Sequence, residues 1–233
     1  MDLKPQPPPE VGSPDETRRQ LLEAAGAVFA AAGFRQATVR EICRRAGANI
    51  AAVNYHFGDK ETLYAEVLRY SQQQAFEKYP LLPGIDAATP APVKLHAFVR
   101  SFLLRISDPE PTAWFGKMML REMIEPTGAL EALLEERIRP MAAQLGGIVA
   151  EILGRSPDDE RVRLCSLSIV SQCVFYHHCR RVVAQLFPEQ TLNASTVEPL
   201  ADHITRFSLA AMRHLPEPEK AKRRSRRLSA HRR

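Results

Sequence analysis

Cysteine, tryptophan and long apolar runs are all scarce in this chain of 233 residues, which has four Cys and one Trp. Cys43, Cys165, Cys173 and Cys179 lack the spacing of a disulfide framework and fall within predicted helices, so free thiols in a reducing compartment are expected. No apolar run approaches the roughly 20 residues that a membrane helix requires. The first residues, MDLKPQPPPEVGSPDE, are proline-rich and acidic and lack the hydrophobic segment of a signal peptide. These absences predict a cytoplasmic protein with no membrane partner.

Sequence signatures of catalysis and cofactor binding are missing as well. The chain has no GxSxG elbow, no glycine-rich phosphate loop and no HExxH pair. We therefore expect no enzyme activity, no catalytic residue and no cofactor. The adjacent Asp202 and His203 on a late helix keep a helical enzyme open as a minor alternative, because active sites are assembled in space and not in sequence.

The segment CVFYHHC, from Cys173 to Cys179, suggests a metal site at first sight. Cys173 and His177 are four residues apart and would share one face of a helix. His177, His178 and Cys179 are consecutive, however, and consecutive helical side chains point about 100° apart, so the three cannot chelate one ion together. The chain has no second ligand pair with a recognisable spacing. We therefore expect no metal site, and we interpret the segment as part of a core or a pocket.

The net charge of +5 is distributed unevenly along the chain. Residues 220–233 contain eight Lys and Arg and no acid, which leaves a net charge of −3 for residues 1–219. Residues 17–64 nevertheless carry seven basic and four acidic side chains, a surplus of +3. Positive charge concentrated in one segment and one tail is typical of proteins that contact phosphate groups.

The hydrophobic periodicity is helical throughout, and no strand-like alternation persists between turn signals. A first helix is expected after Ser13 and Pro14 and should end at Gly33. The Pro/Gly segment from Tyr79 to Pro92 is expected to be a linker or loop, and Pro140 should kink the helix that contains it. Further helices are predicted over Val93–Ser107, Ala113–Glu125, Thr127–Gly154, Asp158–Phe187 and Ala194–Leu215. The pattern predicts an all-α protein.

The segment from Thr38 to Lys60, TVREICRRAGANIAAVNYHFGDK, predicts two short helices joined at a glycine. Thr38 can cap the first helix, Gly47 supplies the backbone freedom of a tight turn, and Asn49 can cap a second helix that ends near His56. A helix-turn-helix requires such a pair, since one helix crosses the phosphate backbone while the next enters the major groove. The alanines of the second helix would permit a close approach to base edges, although they would also suit an ordinary contact between two helices.

The segment from about Thr17 to Tyr70 resembles the DNA-binding domain of TetR-family transcriptional regulators. The resemblance is carried by LLEAAGAVFAAAGF, TVREICRRAGAN and AAVNYHFGDKETLY, which occur in the order that the family has. The later segment LREMIEPTGALEALLEERIRP, Leu120 to Pro140, and the Cys/His-containing helix after it resemble the CerR/YbiH-like subgroup. The resemblance implies an N-terminal three-helix DNA-binding domain with the helix-turn-helix and a larger C-terminal helical domain for ligand binding and dimerisation.

Four segments are predicted from this resemblance and from composition. They are a disordered arm (1–14), a helix-turn-helix DNA-binding domain (15–62), a helical effector-binding and dimerisation domain (63–215) and a basic disordered tail (216–233). The tail would either add sequence-independent phosphate contacts or have no role.

The resemblance also implies which residues contact DNA. The implied set is Thr38, Arg40, Arg44, Asn49, Ile50, Ala51, Ala52, Asn54, Tyr55, His56 and Lys60. Arg40 is expected at a guanine edge and Lys60 at a phosphate. Helical projection places Ile50 on the inward face beside Val53, whereas the family alignment places it towards DNA, and we follow the alignment. Asn54 departs from the aromatic residue that is common at its position, and we expect it to contact a base or a phosphate.

Apolar and aromatic residues in the C-terminal part would suit a pocket for a small organic effector. The predicted effector set is Phe98, Phe102, Trp114, Phe115, Met118, Arg121, Glu122, Cys173, Tyr176 and His177, with Met119, Met123, Phe175 and His178 in the same pattern. Residues at helical spacing are more often plain core. In a regulator of the resembled family, such a pocket would change the separation of two DNA-binding units.

One helix-turn-helix covers half a site, so specific binding is expected from a homodimer on a pseudo-palindromic operator in double-stranded DNA. The last two long helices, Asp158–Phe187 and Ala194–Leu215, are the expected dimer surface, as in the resembled family. The resemblance favours a repressor that its effector releases from the operator. A ligand-independent DNA-binding regulator is the alternative, and a second domain without a cavity would favour it.

Overall fold

A computed structural model of the protein describes residues 13–108, 113–193 and 195–215. Every regular element in these ranges is helical and no strand occurs in them, which confirms the predicted all-α class. The expected tail over residues 216–233 lies outside the described residues, as does all of the expected N-terminal arm except its last two residues. No helix within the described ranges is long and apolar enough to cross a membrane.

The helices of the described residues are numbered in chain order. They are α1 (Pro14–Gln36), α2 (Val39–Ala46), α3 (Ile50–Phe57), α4 (Lys60–Lys78), α5 (Ala91–Ser107), α6 (Ala113–Ile124), α7 (Gly128–Leu133), α8 (Arg139–Leu153), α9 (Glu160–His178), α10 (Arg180–Leu186) and α11 (Val197–His214). A π-helical turn, Leu134–Ile138, lies between α7 and α8, and a 3-10 turn, Pro188–Gln190, follows α10.

Two compact units make up the chain. Unit 1 is formed by the residues up to Leu81 together with Leu104–Met141, and unit 2 by Leu82–Leu103 together with the residues from Ala142 onwards. Helices α1–α4, α6 and α7 therefore belong to unit 1, and α9–α11 belong to unit 2. The expected domain boundary between residues 62 and 63 stays a prediction about function.

Two of the predicted long helices are interrupted. The helix predicted over Thr127–Gly154 contains the π-helical turn, which ends just before α8, where Pro140 is the second residue. The expected irregularity is thus a change of helical geometry ahead of the proline, whose nitrogen has no hydrogen to donate. The prediction of a single helix over Asp158–Phe187 was wrong. Helix α9 ends before Cys179, because the φ of −93° and ψ of 14° of this residue lie outside regular helix.

The core of unit 1 forms because α1 and α4 each carry an apolar stripe at helical spacing. Its buried members from these helices include Leu21, Leu22, Ala25, Phe29, Leu63, Tyr64, Val67 and Leu68. The regular part of α1 ends at Gly33, as predicted, since its φ of 77° is left-handed. The short helices α2 and α3 each bury only two side chains, so most of their surface faces outward.

Candidate nucleic-acid interface

Side-chain caps set where α2 and α3 begin. The Thr38 hydroxyl oxygen accepts a hydrogen bond from the backbone N–H of Glu41 (3.2 Å), and the Asn49 side-chain oxygen accepts one from Ala52 N–H (2.9 Å). Gly47 closes α2 with a φ of 65°. The predicted helix pair is therefore confirmed. Capping uses only acceptor oxygens, so the hydroxyl hydrogen of Thr38 and the amide hydrogens of Asn49 remain suitable donors for phosphate.

Two buried residues, Val53 and Phe57, anchor α3 and determine which of its faces is outward. Ile50 is 52% exposed and Tyr55 is 80% exposed. Ile50 is the first residue of α3, and helical side chains lean towards the N-terminus, so no turn of the helix covers it. The outward orientation implied by the family alignment is the observed one, and helical projection was misleading.

The rest of the predicted DNA-contacting set also lies on α2, on α3 or beside them. Ala51, Asn54 and Arg44 are exposed, whereas Ala52 and His56 are half-buried. The face that α3 presents thus consists of small side chains and hydrogen-bonding groups, which suits a close approach to base edges. The individual contacts with DNA stay predictions.

Pairing on α2 leaves its three arginines unequal. Glu41 accepts two hydrogen bonds from Arg44, through Nε and Nη2 at 2.8 Å each, and one from Arg45 Nε at 2.7 Å. These bonds, with that of Arg44 the strongest cause, lower the pKa of Glu41 to about 2. Arg40 is exposed and makes no hydrogen bond or ion pair with the residues that the structure describes. Arg40 is thus the unpaired cation of α2.

Lys60 is directed inward in this structure. Its Nζ lies 3.3 Å from the carbonyl oxygen of Ala37 and 4.5 Å from the centroid of the Phe34 ring. The side chain therefore ties the start of α4 to the residue before the α2 cap. Contact between Lys60 and phosphate stays a prediction.

Sequence reasoning missed one support of the helix-turn-helix. Arg18 donates a hydrogen bond to Glu66 at 2.7 Å, and its guanidinium lies 5.4 Å from the centroid of the Phe57 ring. The contact joins α1, α4 and the last residue of α3. Residues 18 and 66 are far apart in sequence, so no local spacing indicated it, whereas the i, i+3 and i, i+4 spacing of Glu41 with Arg44 and Arg45 was visible.

The predicted effector set is divided between the two units. Unit 1 holds Trp114, Phe115, Met118, Arg121 and Glu122, and unit 2 holds Phe98, Phe102, Cys173, Tyr176 and His177. Within unit 1, Met118 is fully buried in the core, and Trp114 and Phe115 pack against that core. This packing accounts for the apolar character of these three residues without a ligand. A role of the set in effector binding stays a prediction.

Glu122 is a buried carboxylate that joins α6 to α4. It accepts hydrogen bonds from the Tyr64 hydroxyl (2.7 Å), from the backbone N–H of Thr127 (2.9 Å) and from the Thr127 hydroxyl (3.1 Å). Burial and, after it, the bond to Glu122 raise the pKa of Tyr64. These donors compensate the cost of burying a charge, which is a structural reason for the acid at this position.

Unit 1 contains two cavities. A cavity of about 380 Å³ is lined by Arg121 and Glu122 together with Gly33, Phe34 and Tyr64. A neighbouring cavity of about 620 Å³ contains none of the predicted residues. Both volumes lie in the range of small-molecule sites. Of the ten predicted effector residues, however, only Arg121 and Glu122 line either of these cavities, and both line the smaller one.

The cysteines of the described residues are free thiols. Cys43, Cys165 and Cys173 are buried, and Cys179 is half-buried. Within these residues no group of three His, Cys, Asp or Glu side chains is placed to hold a metal ion.

Two family profiles match the chain. Residues 91–212 match the C-terminal domain of the "HTH-type transcriptional dual regulator CecR", and residues 21–67 match the "Bacterial regulatory proteins, tetR family". The second match spans α2 and α3, where the capped helix pair lies.

Individual relatives and structures agree with these profiles. The transcriptional dual regulator CecR of Shigella flexneri is 28% identical over 170 residues, 70% of this chain and 76% of that protein. The transcriptional repressor NicS of Pseudomonas putida is 28% identical over 209 residues, 86% of this chain and 93% of that protein. The crystal structure of AibR in complex with isovaleryl coenzyme A and operator DNA has a TM-score of 0.61 at 18% identity, over 82% of this chain and 97% of AibR. Because one profile spans more than half of the residues and the other covers the helix-turn-helix, the chain belongs to the TetR family of DNA-binding transcriptional regulators, with a C-terminal domain of the CecR type.

Proposed function

We propose that the protein is a homodimeric repressor that binds a pseudo-palindromic operator through α2 and α3 of two subunits and leaves it when a small organic effector binds the C-terminal part. The observation that carries the proposal is the outward face of α3, where Ile50, Ala51, Asn54 and Tyr55 are exposed on a helix anchored from behind. We further propose that it acts in the cytoplasm, where a regulator meets its operator, and that it has no enzyme activity.

The proposed direction of control rests on the relatives. NicS of Pseudomonas putida and KstR2 of Rhodococcus jostii are both named repressors. The match of residues 91–212 to the C-terminal domain of a dual regulator favours a second candidate, in which the same protein represses some genes and activates others.

The proposed dimer surface lies on α9 and α11. Leu164, Leu167 and Phe175 of α9 and Phe207 of α11 are large apolar side chains that are each more than half exposed. The three residues of α9 recur at intervals compatible with one helix face, and exposed apolar patches of this kind mark interaction sites. A second copy of the chain would cover them, and two copies would supply the two half-sites of a symmetric operator.

The proposal of an effector has a narrower basis. AibR, which shares the fold at 18% identity, has been crystallised with both isovaleryl coenzyme A and operator DNA. For this chain we propose only that the ligand is a small organic compound. A ligand-independent regulator remains the alternative function.

The test of this proposal measures whether a compound releases the protein from its operator. Once a bound duplex is identified, a library of metabolites and drugs is screened for compounds that raise the melting temperature of the protein, and each is assayed for its effect on operator affinity. A coupling free energy of about 1–3 kcal/mol would change that affinity roughly 5- to 150-fold. Specific operator binding that no compound alters would favour the ligand-independent alternative.

A further inference from the structure

Helix α2 carries more basic side chains than acidic ones. Arg40, Arg44 and Arg45 share this eight-residue helix with one acid, Glu41. The side chains of Arg44 and Arg45 are 70% and 45% exposed, so burial holds neither of them in place. Both are held by the same carboxylate.

The geometry of this pairing matters for DNA. Arg44 meets Glu41 through Nε and Nη2, a two-pronged arrangement that matches the way in which arginine grips phosphate. Arg45 donates a third hydrogen bond, from its Nε, to the same carboxylate. A phosphate that approaches α2 must therefore compete with Glu41 for the two-pronged Nε and Nη2 edge of Arg44 and for the Nε of Arg45. Exposed ion pairs are weak, so this competition reduces phosphate binding without abolishing it.

We propose that Glu41 limits the sequence-independent affinity of the helix-turn-helix for DNA by occupying Arg44 and Arg45, and this inference rests on the proposed DNA-binding function. Phosphate contacts strengthen binding to every duplex and carry no sequence information. Withholding two arginines lowers the affinity for random DNA and leaves discrimination to Arg40 and the exposed face of α3. Phosphate contacts act on the operator and on random DNA alike, so Glu41 sets the strength of this shared part of the affinity without touching a base.

Glu41→Gln in the full chain tests this inference. Glutamine has nearly the same shape and suits the third position after a threonine cap as glutamate does. We expect the affinity for a random-sequence duplex at low salt to rise on the order of tenfold. Two arginines in each of two subunits would steepen the plot of log affinity against log salt by up to about 4, at about 0.9 per phosphate neutralised. The ratio of operator to random affinity should not rise.

Glu23→Gln is the matched control. Glu23 lies on α1 and accepts a hydrogen bond from Arg19 at 2.6 Å, while Glu16 holds the same arginine from its other side. The control removes the same charge outside the helix-turn-helix, and we expect its salt slope to stay within about 1 of the wild-type slope. A Glu41→Gln slope no steeper than that of this control would overturn the inference.

A second pair of variants separates pairing from net charge. When Arg44 and Arg45 are both replaced by glutamine, the additional change Glu41→Gln should no longer raise random affinity, because no arginine is left to release. A gain that persists would mean that Glu41 acts through overall charge, against the inference.

If thermal melting shows that Glu41→Gln does not fold, the salt slopes of arginine variants still test the inference. The inference requires that replacing Arg44 and Arg45 flattens the wild-type salt slope by much less than the value of about 4 expected if both arginines of each subunit gripped phosphate, and a loss of that full size would overturn it. A wild-type protein that binds no duplex refutes the proposed function and this inference together. Specific operator binding with an unaltered Glu41→Gln slope refutes the inference alone.

Discussion

Arginines on α2 differ in their partners although they are close neighbours in sequence. Arg44 and Arg45 are held by Glu41, whereas Arg40 is unpaired among the described residues. An unpaired guanidinium can meet a guanine edge without first giving up an internal ion pair. We therefore assign Arg40 the larger part of any base contact made from α2.

Arg40→Ala is expected to weaken operator binding by about 1–3 kcal/mol, the usual cost of losing an arginine that grips a base. Fluorescence anisotropy with a labelled operator would measure the loss. Arg19→Ala on α1 is the control, since Arg19 is held by Glu16 and Glu23, and its affinity should stay within about 0.5 kcal/mol of the wild type. Unchanged operator affinity for Arg40→Ala would remove it from the DNA-contacting set.

Thiol reactivity tests the burial of single residues. Burial raises the pKa of Cys43, of Cys165 and, to about 12, of Cys173. At pH 8 the Cys173 thiol lies far below its pKa and stays protonated, and the thiolate is the reactive form. Titration of the native protein with a chromogenic disulfide should thus show one fast thiol, Cys179, and the other three only in denaturant. Two or more fast thiols, or a fast phase that survives Cys179→Ser, would contradict this assignment.

Single residues also show which local features could be predicted from the sequence and which could not. The caps at Thr38 and Asn49 were predictable, because a cap depends on the next few residues only. The inward direction of Lys60 was not, since its partners Phe34 and Ala37 come close only when α1 and α4 pack together. Caps could thus be predicted from the sequence, whereas the partners of Lys60 required the fold.

Helices α1 and α6 approach closely at Gly26, which has no side chain. A Cβ atom added at Gly26 of α1 would lie 2.1 Å from Cε3 of Trp114, so the ring of Trp114 occupies the space beside this glycine. The contact, together with the hydrogen bond that the Tyr64 hydroxyl donates to Glu122, holds α6 against α1 and α4 within unit 1. An effector that moved α6 would act directly on helices of the DNA-binding unit.

Gly26→Ala should therefore destabilise the protein, by about 1–3 kcal/mol for an overpacked contact. Urea unfolding followed by circular dichroism would measure the change in the free energy of unfolding. Gly147→Ala is the matched control, because no atom lies within 4 Å of a Cβ added at this glycine of α8. It should stabilise by roughly 0.5–1 kcal/mol through helix propensity. Equal stabilities for the two variants would refute the Trp114 contact.

Helix bounds were predictable where local signals mark them and not elsewhere. Periodicity with Ser13, Thr38 and Asn49 predicted the starts of α1 to α3, since each of these caps bonds to a nearby N–H. The break at Cys179 has no glycine or proline, and apolar residues continue on both sides of it. Only packing distinguishes such a break from a continuous helix.

At the scale of the whole molecule, the main expectation is that two copies of the chain form a dimer through α9 and α11. Leu167→Glu would place a charge in the proposed interface on α9 and should convert a dimer into a monomer at micromolar concentration, because a buried unpaired charge is costly. Light scattering during size-exclusion chromatography would give the mass. Ile124→Glu on α6 is the control, since that isoleucine is also more than half exposed and lies outside both segments of the expected dimer surface. A monomeric wild type, or a dimeric Leu167→Glu variant, would contradict the proposed surface.

Sequence was less informative about the effector than about DNA. The helix-turn-helix has a fixed length, order and capping chemistry, so its residues could be assigned one by one. A pocket has no such spacing, and aromatic or sulfur-containing residues serve a core equally well, as Met118 and Trp114 do in unit 1.

Selection of bound duplexes from a pool of random DNA by the purified protein tests the central claim most directly. Two copies of α3 related by a two-fold axis should enrich one inverted repeat, bound by two chains per duplex, with equivalent half-sites. Failure to enrich any sequence at moderate ionic strength, or enrichment of an asymmetric site bound by one chain, would contradict the assignment of α2 and α3 as a paired DNA-binding surface.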